Sequence, residues 1–170
     1  MKQLLLCCVA TGLLAMGSAS QAAEWGLKKG SVKLQSAGTL AFGPDGILFV
    51  GDAKAAAVLA IDTGDSKGRA DRAQVNIENV NQQIAGLFDF PGSKISDLAV
   101  NPLSGNIYVS VSTKGGAALV RINDAGKLSR VSLSDVAHAR VDLPGAPEDK
   151  VVRRGRRESN LRNDSVTDLA

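Results

Sequence analysis

The stretch GTLAFGPDGILFVGDAKAAAVLAIDTGD, residues 38–65, decides the fold because a second stretch of the chain repeats its pattern. The second stretch is SDLAVNPLSGNIYVSVSTKGGAALVRINDAG, residues 96–126. The offset between matched residues drifts only from 58 (Leu40 to Leu98) to 61 (Leu59 to Val120), and each increase falls in a turn, where insertions are tolerated. A repeat of about this period predicts an array of similar units, such as a propeller or a solenoid.

The content of each repeat favours strands. ILFV and NIYVSVS are rich in β-branched and aromatic residues, and PDG at 44–46 is a typical tight turn between strands. Each repeat therefore reads as three strands joined by turns, and KLSRVSL, residues 127–133, adds a fourth strand to the second repeat. Four antiparallel strands are the content of one propeller blade.

One segment between the repeats has helical spacing instead. VNIENVNQQIAGLF, residues 75–88, places its apolar residues three or four positions apart. We expect a short amphipathic helix at about 76–88, inserted in the first repeat and packed on the outside or at one end of the sheet.

The first 22 residues predict a secretory signal peptide. A basic Met1-Lys2 precedes an apolar run, and small residues follow it up to a cleavage site near Ala22. The alternative is a transmembrane anchor, but the run is shorter than the ~20 apolar residues that a spanning helix needs. We expect a periplasmic or secreted chain that does not span the membrane. Cys7 and Cys8 would leave with the leader, so the mature chain would contain no disulfide or thiolate nucleophile.

The blade pattern LAFGPDGILFVGD followed by VLAID resembles NHL-repeat proteins and the related SMP-30/gluconolactonase-like propellers. The resemblance covers residues 38–65 well and 95–126 in part, and it implies an all-β fold. The expected fold is a partial β-propeller of two blades and the first strand of a third, with one short inserted helix. The expected boundaries are a signal peptide at 1–22, a lead-in at 23–37, one blade at 38–94, a second at 95–164 with a basic loop at 144–164, and a first strand at 165–170.

The last six residues, SVTDLA at 165–170, repeat KISDLA at 94–99 with an offset of 71. We interpret them as the opening strand of a third blade. A ring of four blades with ~60 residues each would need about 240 residues, so the chain is expected to be a truncated fragment. A short chain that completes a ring by oligomerising is an alternative.

Enzymes that resemble SMP-30 bind a divalent metal through acidic and amide side chains from several blades. The candidate ligands by position are Asp52, Asp97, Asn101 and Asp168. Oxygen ligands of this kind suit Ca²⁺ or Mg²⁺, and no other cofactor is expected. The segment before the PDG turn, QSAGTLAF, lacks the Glu-Gly-Pro typical of those enzymes. The recurrent Asp97 and Asp168 are also explained as turn residues that bond local backbone.

No catalytic constellation is visible in the sequence. His138 is the only histidine, and the chain has no G-x-S-x-G motif that would mark a nucleophile elbow. A catalytic His138 would need an acid and a nucleophile brought to it by folding. We therefore expect no catalytic residues.

The basic cluster in the loop 144–164 is a candidate anion-binding site. Its members are Lys150, Arg153, Arg154, Arg156, Arg157 and Arg162. No aromatic residues are interleaved for base stacking, which disfavours nucleic acid as the partner. An anionic glycan or a lipid headgroup fits an exported chain better, and a solvated loop between blades is the simpler alternative.

These observations predict an exported binding or scaffolding protein of the propeller type, with a protein or an anionic glycan as partner. The alternative is a fragment of a metal-dependent SMP-30-like lactonase or another hydrolase.

Overall fold

The computed structural model describes residues 25–72 and 75–169. The predicted signal peptide, with its two cysteines, lies outside the described residues. No helix within the described part of the chain is long and apolar enough to cross a membrane.

Most of the regular structure in the described residues is β-strand. The strands are β1 (Lys28–Gly30), β2 (Leu40–Phe42), β3 (Ile47–Asp52), β4 (Ala57–Asp62), β5 (Lys94–Val100), β6 (Ile107–Thr113), β7 (Gly116–Ile122), β8 (Leu128–Arg130), β9 (Val136–Asp142), β10 (Val152–Arg154) and β11 (Arg157–Ser159). One α-helix, α1 (Val80–Phe88), and three short 3-10 turns complete the described elements.

The strands form three antiparallel sheets, none of which is closed. The first has the order β1-β9-β4-β3-β2, the second the order β5-β6-β7-β8, and the third is the hairpin β10-β11. The prediction of a mostly-β chain with one short helix is therefore confirmed for the described residues. The four strands expected in the second repeat are those of the second sheet.

The strands of the two repeats pair in the same register. We call β2-β3-β4 the first meander and β5-β6-β7 the second meander. The central residue of each meander has equivalent neighbours on both sides: Leu40–Val50–Leu59 in the first and Leu98–Val109–Val120 in the second. The repeat predicted from the sequence is thus a repeat of strand pairing.

The two meanders stack on each other through opposite faces. We call the face of the first meander that carries Leu40, Leu48, Val50, Leu59 and Ile61 its front face; the equivalent front face of the second meander carries Leu98, Ile107, Val109, Val120 and Ile122. The opposite faces are the back faces. Tyr108 and Leu119 on the second back face join the buried cluster of the first front face. The ring of Phe42 meets that of Tyr108 edge to face, with centroids 5.1 Å apart.

Helix α1 packs on the front face of the second meander. Ile84 is buried there in one cluster with Val109, Val120 and Ile122. The helix begins at Val80, later than the predicted start at 76, because Asn79 has a left-handed backbone (φ 53°) that interrupts helical geometry. It ends at Phe88, and the residue that follows, Asp89, is also left-handed (φ 51°).

Strand β9 lies within the predicted second blade, yet it joins the first sheet. It pairs with β4 through Ala57–Asp142 to Ile61–His138 and with β1 on its other side. Because β8 already occupies the free edge of β7, the chain returns to the open edge of β4 and removes an exposed edge there.

The stretch predicted to open a third blade is not a strand in the structure. Residues 165–169 are irregular, and the Ser165 hydroxyl donates to the carbonyl of Ala53 at 3.2 Å. Val166 lies against Gly51, so close that a Cβ at Gly51 would stand 2.7 Å from its Cγ1. The segment therefore packs across the end of the first meander.

Candidate functional site

Asp52, the first candidate metal ligand, is fully buried at the end of β3. Its carboxylate accepts hydrogen bonds from the N–H groups of Gln35 (2.7 Å), Ser36 (2.8 Å) and Ala55 (3.0 Å), and from the Ser36 hydroxyl (2.7 Å). Four donors match the acceptor capacity of a carboxylate. Three of these bonds fall on Oδ1 and one on Oδ2, so Asp52 fastens the lead-in segment to the turn between β3 and β4.

Asn101 is also fully buried and uses both ends of its amide. Its Nδ2 donates to the carbonyl of Asp65 at 2.6 Å, and its Oδ1 accepts from the N–H of Leu103 at 2.9 Å. The side chain holds the loop after β4 against the turn between β5 and β6. This is a structural role.

Asp65 is a second buried carboxylate, which sequence reasoning missed. Its Oδ2 accepts from the Ser104 hydroxyl (2.8 Å), Asn106 Nδ2 (2.9 Å) and the Tyr108 hydroxyl (3.0 Å). In the sequence it stands in TGDSKG, which is typical of a solvated turn, and no local signal separates it from such a residue. The donors that bury it come from the other meander.

The sole tyrosine of the chain, Tyr108, has a perturbed ionisation. Burial raises the pKa of Tyr108 to about 12 and is the largest cause of the shift. A hydrogen bond with Thr63 acts in the opposite direction, whereas the negative charge of Asp65 reinforces the rise. The phenol therefore stays protonated and keeps its hydroxyl as a donor to Asp65.

Asp97 and Asp168, the remaining candidate ligands, line one cleft at the end of the two meanders. We call it the sheet-end cleft; its volume is about 470 Å³. Eight of its twelve lining residues carry a hydroxyl, carboxylate or amide group: Ser36, Thr39, Ser96, Asp97, Ser112, Asn163, Thr167 and Asp168. These residues come from the lead-in, β5, β6 and the C-terminal segment.

Hydrogen bonds between the meanders hold the cleft walls. Asp97 Oδ2 accepts from the N–H of Leu40 at 2.8 Å, which ties β5 to β2. The buried Ser110 hydroxyl donates to the carbonyl of Gly38 at 2.7 Å. The Thr39 hydroxyl on the cleft wall is buried and has no hydrogen-bond partner among the described residues.

The four candidate ligands thus do not converge. Asp52 and Asn101 are buried in separate hydrogen-bond clusters, and Asp168 is exposed, with one oxygen accepting from the N–H of Leu169 at 2.8 Å. Across residues 25–72 and 75–169 no group of three His, Cys, Asp or Glu side chains could hold a metal ion. The described residues therefore do not fit the metal site that the resemblance implies.

His138 lies in β9 between β1 and β4. Its Nδ1 stands 3.0 Å from the carbonyl oxygen of Val136, and its ring lies against Gly30, where a Cβ would come within 3.0 Å of Cε1. The ring fills space in the sheet, and none of its hydrogen bonds in the structure reaches an acid or a hydroxyl side chain.

The basic cluster divides into three parts. Lys150 pairs with Glu148 (2.5 Å) and Arg153 with Glu158 (3.5 Å), both on the surface. Arg162 lies in the 3-10 turn Leu161–Asp164, where its Nε is buried.

The other arginines belong to the hairpin β10-β11. Arg156 follows Gly155, whose φ of 64° makes the tight turn, and Arg157 opens β11 opposite Arg154, of whose side chain nothing is described. Both Arg156 and Arg157 are exposed, and neither forms an ion pair within the described part of the chain. Two arginines at the hairpin tip thus remain as the core of the candidate anion site.

Comparison with protein-family models, with curated proteins and with solved structures found no match for this chain. The likeness of its repeats to propeller blades therefore rests on the sequence pattern.

Proposed function

We propose that this chain is an exported, non-enzymatic binding or scaffolding protein of the β-propeller type. Two antiparallel meanders with the same register, stacked front face to back face, are what consecutive blades of a propeller would show. The apolar run and small residues at the N-terminus support export with cleavage near Ala22. N-terminal sequencing of the protein recovered from periplasm or medium tests that cleavage.

The observation that carries a binding role is the sheet-end cleft. It lies where loops and strand ends of both meanders meet, and such positions on a rigid scaffold commonly hold ligands. Its lining of hydroxyls, two carboxylates and an amide offers donors and acceptors beside a few small apolar residues. The ligand that fits this chemistry is a neutral polyhydroxylated molecule such as a glycan.

A cleft-blocking variant tests this role. Ser112 lies exposed at the end of β6 on the cleft wall, so Ser112→Trp would fill the entrance without entering the core. Ser159→Trp on the hairpin strand β11 is the matched control, since Ser159 is also exposed and lies outside the cleft. We expect wild type and the control to bind the same neutral glycans on an array, and Ser112→Trp to lose them. Failure of wild type to bind any neutral glycan would reject this ligand class.

The alternative, a metal-dependent hydrolase, draws on the fact that Asp97 and Asp168 share the cleft. Two carboxylates are fewer than the six to eight oxygens that Ca²⁺ takes, so the remaining ligands would have to be hydroxyls, carbonyls and water. Elemental analysis of the purified chain distinguishes the hydrolase from the glycan-binding protein. A stoichiometric Ca²⁺ or Mg²⁺ that is lost in Asp97→Asn would favour the enzyme, and a metal-free protein that binds glycans would favour the binding role.

The tip of the hairpin β10-β11 supports a second contact, with an anionic glycan. Arg156 and Arg157 stand on an exposed two-stranded projection. Guanidinium groups bind sulfate and carboxylate through paired hydrogen bonds, which suits a sulfated or uronic-acid polymer. This contact would lie outside the sheet-end cleft.

A further inference from the structure

The front face of the second meander is covered only in part. Helix α1 lies over β6 and β7, where Val109 and Val120 are at most 2% exposed. Along the edge strand β5 the same face is open, with Leu98 57% and Val100 52% exposed. An apolar groove of about 200 Å³ runs here between β5 and the residues that precede α1. A soluble chain rarely leaves such an apolar strip without a partner.

The internal repeat shows which kind of surface covers this position. Leu40 is the equivalent of Leu98 in the first meander, and it is only 6% exposed because the back face of the second meander lies on it. Phe42, the equivalent of Val100, meets the ring of Tyr108 on that back face. The natural cover of a front face in this fold is therefore the back face of another meander.

The chain presents such a back face at the other end of its stack. The register makes three residues of the first meander equivalent to Ala99, Tyr108 and Leu119 of the covering face: Ala41, Phe49 and Val58. Strand β9 extends this face with Val141, which pairs with Val58 and is 65% exposed. No other sheet of the described chain packs on this face, where Phe49 and Val58 are half-buried, although Val166 of the C-terminal segment covers it at Gly51.

We propose that the back face of the first meander docks on the front face of the second meander of another copy of this chain, head to tail. Phe49 of one copy then takes the place beside Val100 that Tyr108 takes beside Phe42 within one chain. The two surfaces lie at opposite ends of a two-sheet stack, so the interface is heterologous. Repetition of one such contact gives a ring if the rotation closes and a filament if it does not. This association goes beyond ligand binding in the sheet-end cleft.

Two exposed substitutions test the proposal by sedimentation velocity of the full chain across a wide range of concentration. Leu98→Lys charges the front face of the second meander, and Val141→Lys charges the back face of the first. We expect wild type to form oligomers as concentration rises. Each variant alone should remain monomeric, whereas an equal mixture of the two variants should form a dimer, because each retains the face that the other has lost.

Matched controls lie outside both faces. Val151 is 64% exposed and Leu161 51% exposed, so Val151→Lys and Leu161→Lys should associate like wild type. Circular dichroism confirms that each variant keeps its fold. A wild-type monomer at all concentrations would overturn the proposal and leave a further meander of a longer chain as the occupant. Oligomers that persist in both variants, or a dimer of Val141→Lys alone, would also overturn it, since the contact would then lie elsewhere or join two front faces.

Discussion

Leu40 and Leu98 occupy the same place in two equivalent meanders, yet one is buried and the other is exposed. Each starts a three-strand row in the same register, and their exposed fractions are 6% and 57%. The difference lies in what faces them: a second sheet covers Leu40, and α1 stops short of Leu98. The pattern of a strand thus predicts which residues seek burial, and the neighbouring element decides which of them achieve it.

A second difference concerns the end of the central strand. The register places Val111 of the second meander where the first has Asp52. Val111 is buried among apolar side chains, whereas Asp52 is buried among four donors that fasten the lead-in. The first repeat therefore has a polar clamp at a position where the second repeat has an apolar core residue.

The largest expected effect comes from removing this clamp. Asp52→Ala removes a fully buried carboxylate and leaves three N–H groups and one hydroxyl without their acceptor, and we expect it to lower the free energy of unfolding by about 3–4 kcal/mol. Urea denaturation measures the change. Asp142→Ala, at the end of β9, removes only a surface ion pair with Arg140 and should cost less than ~1 kcal/mol. Equal losses of unfolding free energy in the two variants would contradict the stabilising role of Asp52.

The equivalent residues Leu40 and Leu98 allow a direct comparison of the stability lost on truncation. Leu40→Ala should destabilise the chain by about 3 kcal/mol, since it opens a cavity between two sheets. Leu98→Ala should cost less than ~1 kcal/mol, because its side chain is largely in water already. Both are measured by denaturation at a concentration where wild type is monomeric. A large cost at Leu98 under those conditions would mean that its face is covered within one chain.

Tyr108 tests the contact between the meanders through its ionisation. The raised pKa of about 12 means that the folded state holds the phenolic proton more tightly than the unfolded chain, whose pKa is near 10. The stabilisation is complete below pH ~10 and is lost as pH rises toward about 12. Ultraviolet titration reads this directly, because the chain has one tyrosine. A midpoint near 10 in the native protein would show that the phenol is not buried.

Tyr108→Phe removes one of three donors to Asp65 and keeps the ring. We expect a loss of about 1–2 kcal/mol at neutral pH, with the fold retained. The alkaline fall in stability between pH ~10 and ~12 should be weaker in this variant, since the raised pKa is its cause in wild type. Denaturation at two pH values in that range checks the difference, and an unchanged alkaline slope would assign it to other groups.

The smallest effect on stability is expected at the hairpin tip. The double variant Arg156→Ser/Arg157→Ser should change the free energy of unfolding by less than ~0.5 kcal/mol, because both side chains are exposed. Its retention on a heparin column should fall clearly below that of wild type. Lys33→Ser/Lys54→Ser removes the same charge from two exposed positions elsewhere and serves as the control. Equal losses of retention in both double variants would mean that heparin binding depends only on the net charge of the chain.

The sequence predicts this fold as far as patterns repeat. The strands of both meanders, their turns and the presence of α1 follow from local spacing, and the aligned stretches even predict the register. The start of α1 does not, because the left-handed Asn79 breaks an otherwise helical pattern. Nor does the place of β9, since the edge that it completes belongs to a strand far earlier in the chain.

The candidate site was less predictable because its contacts also join residues that are distant in the sequence. Asp52 stands out in the sequence as a charged residue at a strand end, but its partners Gln35 and Ser36 come from the lead-in, so a ligand and a clamp look alike. The sequence around Asp65 gives no indication that its carboxylate is buried, because the donors to it come from the other meander. Asp97 and Asp168 are matched by the sequence repeat, and folding brings both to the sheet-end cleft although residues 165–169 form no strand.

The position of β9 between β1 and β4 also sets the order of events after synthesis. The first meander emerges early, but its sheet gains β9 and β1 only after the whole second meander has followed. Long-range pairing of this kind slows folding, because the intervening chain must be closed into a loop first. We therefore expect the first sheet to mature late, after the second meander has formed.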